Sequence, residues 1–321
     1  MASISLKSAL VAALAAVATA MPAAPRLTDR QLKIHQAMKR QQAAGQAAGI
    51  TDPDILQFAL TLEWLETTFY QQGLAAVPQQ QFLDLGLTQL QVQDLVSQGK
   101  EEETHVQLLQ GALAQKGVQP VQPCQYNFGQ SFSSATAMLQ TAVTLEQVGV
   151  SAYLGAAPLV SDKSILGTAA SIYSIEARHQ TFTRVASKVA ASPNSFDTPL
   201  SPKQVFSLAA PFIASCPQGS NLALTAFPNI TMTNPEVTAQ IAAASPQQLQ
   251  LQSTATGAAA CAFSSGDLPT GTVFTQFANG ACSTPQGLSG VVYVNLVTSM
   301  PADSKITDDI IAAGPMVLTL S

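Results

Sequence analysis

Charge is scarce in this chain. Lys and Arg number 14 and Asp and Glu 19 in 321 residues, for a net charge of −5. Between Gln204 and Ala302 the only charged residues are Glu236 and Asp267. So little positive charge gives no electrostatic basis for binding nucleic acid or an anionic membrane. Long apolar runs are also missing. The longest, at residues 8–18, falls short of the roughly 20 residues a membrane span needs. The four Cys, at 124, 216, 261 and 282, lack the close spacing of a zinc or iron–sulfur site. No phosphate-binding glycine loop and no glycosidase signature stands out. Histidine occurs only three times, at 35, 105 and 179, which leaves little room for His-based nucleophilic catalysis.

Two of those histidines carry the informative pattern. Glu102-Glu103-Thr104-His105 and Glu176-Ala177-Arg178-His179 are both Glu-x-x-His. Residues three apart share one face of a helix, so each motif aims a carboxylate and an imidazole the same way. Upstream of each lies a matching segment. Phe58-Ala59-Leu60-Thr61-Leu62-Glu63 parallels Thr141-Ala142-Val143-Thr144-Leu145-Glu146, and a Tyr follows seven residues later in each, at Tyr70 and Tyr153. Superposing the segments pairs Glu63 with Glu146, and Glu66 with Gly149. Glu63 is therefore the better candidate ligand and Glu66 the weaker one. Glu66 and Glu103 read either as extra carboxylates near the site or, the favoured reading, as facing solvent or a neighbouring helix. A Glu from each of two helices plus Glu-x-x-His from two others is the ligand set of a dinuclear site in a four-helix bundle. A single Glu-x-x-His is a weak signal, since solvated Glu/His pairs are common on helices. The duplicated pattern is what gives it weight.

These residues resemble the ferritin-like superfamily, and more closely a fungal secreted branch that includes stress-response and late sexual development proteins. Leu62-Glu63-Trp64-Leu65-Glu66 with Phe69-Tyr70, Glu102 to His105, Leu145-Glu146 with Ala152 to Pro158, and Glu176 to His179 carry the likeness. It covers residues 50–230 and continues more loosely to the C-terminus. The resemblance implies a mainly α fold, a ferritin-like four-helix bundle with a long crossover between its second and third helices. It also implies two Fe, or alternatively two Mn. Glu63, Glu102 and His105 would hold one ion and Glu146, Glu176 and His179 the other, with Glu102 and Glu176 bridging. Tyr70 and Tyr153 read either as groups hydrogen-bonding a ligand or as ordinary core aromatics.

The remaining sequence fits that frame. Helices are expected from Asp52 to a stop near Gly73, over 88–116, 133–155 and 163–191, and from a capping box at Ser201 and Gln204 to about Ser215. The Pro- and Gly-containing stretch 118–132 is long enough, at about 50 Å extended, to cross a bundle. From 232 to 321 short β-type runs, such as Val291 to Leu296, suggest a smaller β-rich C-terminal module. It reads as a layer packed on the bundle rather than a carbohydrate-binding unit. The N-terminus reads as a signal peptide over 1–20, with Lys7, an apolar stretch and Ala18-Thr19-Ala20. Residues 21–40 read either as a pro-segment ending at Lys39-Arg40 or as a polar lead-in. Cleavage there would leave 8 basic and 18 acidic residues. Secretion accommodates disulfides, with Cys124–Cys216 and Cys261–Cys282 the favoured two of three possible pairings. It also makes Asn229-Ile230-Thr231 an N-glycosylation acceptor.

Three function classes remain open. One is a redox enzyme using O₂ or peroxide, and another is metal buffering without turnover. The third is a structural cell-wall or developmental protein, in which homo-oligomer formation or wall association would matter more than chemistry.

Overall fold

A computed structural model describes residues 50–320, apart from 221, 223, 239, 240, 242–245 and 269. The expected signal peptide, pro-segment, Lys39-Arg40 site and His35 lie outside the described residues. Four long helices form the body: α1 (Asp52–Ala76), α3 (Gln89–Gln115), α4 (Ala135–Ala156) and α5 (Lys163–Ala186). A short α2 (Gln79–Asp84) interrupts the α1–α3 connection. Side chains start each long helix. Thr51 with Asp54 and Thr88 with Gln91 close capping boxes on α1 and α3, while Ser134 and Asp162 cap α4 and α5. Each cap satisfies backbone N–H groups that a helix start leaves without partners.

The expected stop of α1 at Gly73 does not occur. The helix runs on to Ala76, just before Pro78. Gly73 is buried because a Cβ there would lie 2.6 Å from Met138 Cε and 2.9 Å from Phe132. Its role is close packing rather than termination. Helix α5 also ends earlier than expected, at Ala186, and Lys188 takes a left-handed conformation at φ 61°.

Helices α1 and α3 pack together as one pair and α4 and α5 as the other. The crossover from Lys116 to Ser134 travels along α1. The Gln57 amide donates to Gln119 O at 2.7 Å and accepts from Val121 N at 2.9 Å, and Trp64 Nε1 donates to Val121 O at 3.1 Å. Further on, Phe128 and Phe132 pack on Phe69, each with ring centroids 5.4 Å from it. From Gln57 to Phe69 is about 18 Å of helix at 1.5 Å per residue. The crossover thus traverses the bundle, as a ferritin-like topology requires.

After the bundle, the capping box of Ser201 and Gln204 opens α6 (Pro202–Ala209). This helix is shorter than expected, passing through one 3-10 turn into β2 (Ile213–Ser215), which pairs with β1 (Gln125–Tyr126). The Cys124–Cys216 disulfide secures the same junction. The C-terminal region is an antiparallel seven-stranded sheet in the order β3-β4-β7-β6-β5-β8-β9. Its strands are β3 (Thr231–Met232), β4 (Gln248–Gln252), β5 (Ala260–Ser264), β6 (Thr272–Ala278), β7 (Ala281–Ser283), β8 (Val291–Val297) and β9 (Ile311–Thr319). Cys261 and Cys282 join β5 to β7 across β6. Every residue of β8 is buried. Val291 and Tyr293 belong to the same apolar cluster as the bundle helices, and the Tyr293 hydroxyl lies 2.7 Å from Ser151 Oγ on α4. The sheet is a layer on the bundle, with α6 between α4 and β9 rather than capping a bundle end.

Phe69 is fully buried at the point where crossover and bundle meet. Phe69→Ala is expected to cost about 3–5 kcal/mol, read as a lower denaturant midpoint in urea unfolding.

Candidate metal centre

Four helices each send acidic or imidazole groups to one buried point. Helix α1 contributes Glu63, α3 contributes Glu102 and His105, α4 contributes Glu146, and α5 contributes Glu176 and His179. All six are buried. Their ligand atoms form two quartets, Glu63–Glu102–His105–Glu176 and Glu102–Glu146–Glu176–His179, each with all atoms within 4.8 Å of one another. Glu102 and Glu176 occur in both.

The histidines face the centre through Nδ1. His105 Nδ1 lies 3.2 Å from Glu63 Oε2, 3.1 Å from Glu102 Oε2 and 3.3 Å from Glu176 Oε1. His179 Nδ1 lies 2.7 Å from Glu102 Oε1 and 3.5 Å from Glu146 Oε2. Yet His179 Nδ1, Glu102 Oε1, Glu146 Oε2 and both Glu176 oxygens have no properly aligned hydrogen-bond partner. These atoms approach one another without bonding, and orphaned buried polar atoms are costly. Lone pairs converging on common points, from hard carboxylate and borderline imidazole donors, suit a metal cation.

The tyrosines bond crosswise between the two sequence repeats. The Tyr70 hydroxyl, from the first, donates to Glu146 Oε1 of the second. The Tyr153 hydroxyl, from the second, donates to Glu63 Oε1 of the first at 2.5 Å. Both therefore orient carboxylates of the cluster, which favours the first of their two readings.

Glu66 follows the less favoured of its two readings, as an extra carboxylate near the site. It is buried rather than solvent-facing, 4% exposed, and lies among the cluster carboxylates. The reason is Gly149 on α4. A Cβ at that position would meet Glu66 Oε1 at 3.0 Å and Glu176 Oε2 at 2.9 Å. The repeat thus replaces a second carboxylate on α4 with empty space, and the carboxylate on α1 fills it. Glu103 is exposed, as expected.

Sequence reasoning also missed Glu101 and Gln98. Glu101 Oε2 lies 2.6 Å from His179 Nε2 and holds the ring from its outer side, with Glu101 itself half exposed. Gln98, one turn before Glu102, accepts from the Tyr70 hydroxyl at 3.4 Å. The acidic run 101–103 was the only local sign of Glu101.

Electrostatics without metal follow from burial. Burial pushes Glu63 up to about 7 and raises Glu66, Glu146 and Glu176, with repulsion among the carboxylates adding to it. Burial also opposes charge on the histidines, but the surrounding carboxylates overcome it and push both His105 and His179 up to about 12. Burial works against ionising Glu102 too, and the two histidines beside it still bring it down to about 2. The metal-free centre is thus held by two imidazolium groups around an ionised Glu102.

Residues 51–188 match the family model described as Ferritin-like domain. The match begins at the N-cap of α1 and ends just past α5, so it takes in all four ligand-bearing helices. A search of curated proteins gives no match to the chain. The family match, together with the buried Glu/His cluster, is compatible with metal binding. Among the described residues no helix is long and apolar enough to cross a membrane.

The pH dependence has a definite sign. Glu63 keeps its proton to about pH 7 when folded, against 4.5 as its ordinary value, so the folded state binds more protons across that window. His105 and His179, raised from 6.5 to about 12, extend the same imbalance upward from pH 6.5. Glu102 acts oppositely, but only below 4.5. Chelator-treated protein is therefore expected to lose thermal stability as pH rises from about 5 to about 8. Added Fe(II) or Mn(II) should offset that loss most at the upper end, because metal binds the deprotonated ligands. Differential scanning calorimetry at several pH values reads both trends.

Proposed function

We propose that this chain is a secreted ferritin-like protein with a carboxylate-bridged dinuclear centre of two Fe or two Mn. In this reading Glu63 and His105 belong to one ion, Glu146 and His179 to the other, and Glu102 and Glu176 bridge. The observation that carries the reading is the pair of buried quartets sharing Glu102 and Glu176, with their unpartnered oxygens turned inward. When bound, the metals would supply redox chemistry toward O₂ or peroxide.

The protein's own residues prepare that centre. Tyr70 and Tyr153 hold the carboxylates of Glu146 and Glu63, and Glu101 fixes the His179 ring so that Nδ1 faces inward. Glu66 adds a carboxylate beside the bridging Glu176, in space left by Gly149. The surrounding apolar residues keep bulk water from the ligands.

Two disulfides among the described residues support an oxidising compartment and hence secretion. Asn229 is exposed and open to glycosylation. A role in fungal stress response or development rests on the sequence resemblance.

Elemental mass spectrometry of the secreted protein tests the centre. About two Fe or Mn per chain are expected, and loss of both in His105→Ala/His179→Ala. A folded protein without metal after reconstitution with Fe(II) and Mn(II) would rule the centre out and leave the scaffold reading. Gly149→Ala provides a finer test. Its new Cβ displaces the ends of Glu66 and Glu176, so weaker metal retention is expected while far-ultraviolet circular dichroism stays unchanged.

A further inference from the structure

A cavity of about 570 Å³ opens between α3 and α5. Those two helices belong to different pairs and touch little, so the seam between them is loosely filled. Phe58, Leu62, Leu109, Ala152 and Ile172 line its inner wall together with the Tyr153 ring. Leu108 also lines the cavity and is 44% exposed.

The size and lining restrict the occupant. The volume lies within the range of about 300–1,000 Å³ typical of sites for small organic molecules. Gln107, Gln115, Ser164 and Thr168 also line the cavity, but its apolar inner wall would leave the hydroxyls of a sugar or nucleotide unpaired there, at a cost in binding. It suits a hydrocarbon. The mouth carries one ion pair, Lys116 with Asp162. Lys116 is the only cation among the described lining residues, with its ammonium 3.7 Å from Asp162 Oδ2. Asp162 is anchored in place, since Oδ1 accepts from Ser164 N at 2.8 Å to cap α5. Lys116 therefore keeps donors free for a carboxylate arriving from solvent.

The inner end lies beside the proposed metal centre. The Tyr153 ring is part of the cavity wall, and its hydroxyl donates to Glu63 Oε1 at 2.5 Å. One hydrogen bond separates the cavity from the ligand set. We propose that this cavity binds an unbranched long-chain carboxylic acid, with its tail inward against Tyr153 and its carboxylate at Lys116. Occupancy is felt at Glu63 through the Tyr153 phenol. The binding claim stands on the cavity alone, whereas its effect at Glu63 rests on the di-metal reading.

Titration calorimetry of the full secreted protein with dodecanoate tests the first claim. Saturable binding is expected. It should weaken at least about tenfold in Ala112→Trp, which fills the seam without touching a ligand residue. Lys116→Gln should weaken dodecanoate about fivefold and leave dodecan-1-ol unaffected. No binding, or binding indifferent to Ala112→Trp in a protein with unchanged melting temperature, overturns the site. Equal affinity for dodecanoate and dodecan-1-ol overturns the assignment of a carboxylate head.

The second claim is read in Co(II)-loaded protein. Dodecanoate should shift the visible absorption bands, and Tyr153→Phe should abolish the shift while binding persists. A spectrum indifferent to dodecanoate overturns the coupling. Failure to take up Co(II) counts against the di-metal reading and leaves the calorimetric result standing.

Discussion

Five buried carboxylates in one apolar bundle are the constraint on which the rest of this structure depends. Glu63, Glu66, Glu102, Glu146 and Glu176 lie within a few ångströms of one another, on four helices, away from water. Each would cost several kcal/mol if ionised and unpaired. The bundle answers with two imidazoles from inside, two phenols from the flanks and protonation of the groups that remain. Those partners hold their positions only while the four helices keep register, so the crossover pinned along α1 and the sheet packed on α4 also serve the centre.

Much of this was legible in the sequence because the key spacing is local. Glu-x-x-His places both groups on one helical face whatever the tertiary context, and the repeat supplied Glu63, Glu146, Tyr70 and Tyr153. The capping box at Ser201 was readable for a similar reason, whereas the disulfides were one favoured pairing of three, and Cys124 and Cys216 lie 92 residues apart. The positions that misled are those whose meaning is set by another helix. Glu66 is buried because Gly149 leaves room for it, a fact that lies 83 residues downstream. Gly73 resembles a helix stop until Met138 and Phe132 are seen against it. Glu101 differs from its exposed neighbour Glu103 only because α5 brings His179 within reach.

The sheet shows the same division. The strict alternation of Gln248-Leu-Gln-Leu-Gln and the apolar run at 291–297 are strand signals of two kinds, one half-buried and one buried on both faces. Strand β9 includes Ala312, Ala313, Gly314 and Pro315, where propensity argues against a strand, and pairing with β8 decides the outcome. Between Gln204 and Ala302, where charge is scarce, neutral groups supply the polarity. Most of the described residues in that stretch are at least partly exposed, among them Gln248, Gln250 and Gln252, so uncharged amides and hydroxyls face the solvent there.

The crosswise tyrosines bear on how such a chain can change over time. Each repeat supplies the phenol that steadies the other repeat's carboxylate, so the two halves share a centre rather than owning half of it each. Once that exchange existed, neither copy was free to drift alone. Loss of Tyr70 leaves Glu146 unsupported in the half that still carries every one of its own residues. The two repeats thereby depend on each other at the centre, although the segments between their motifs differ in length.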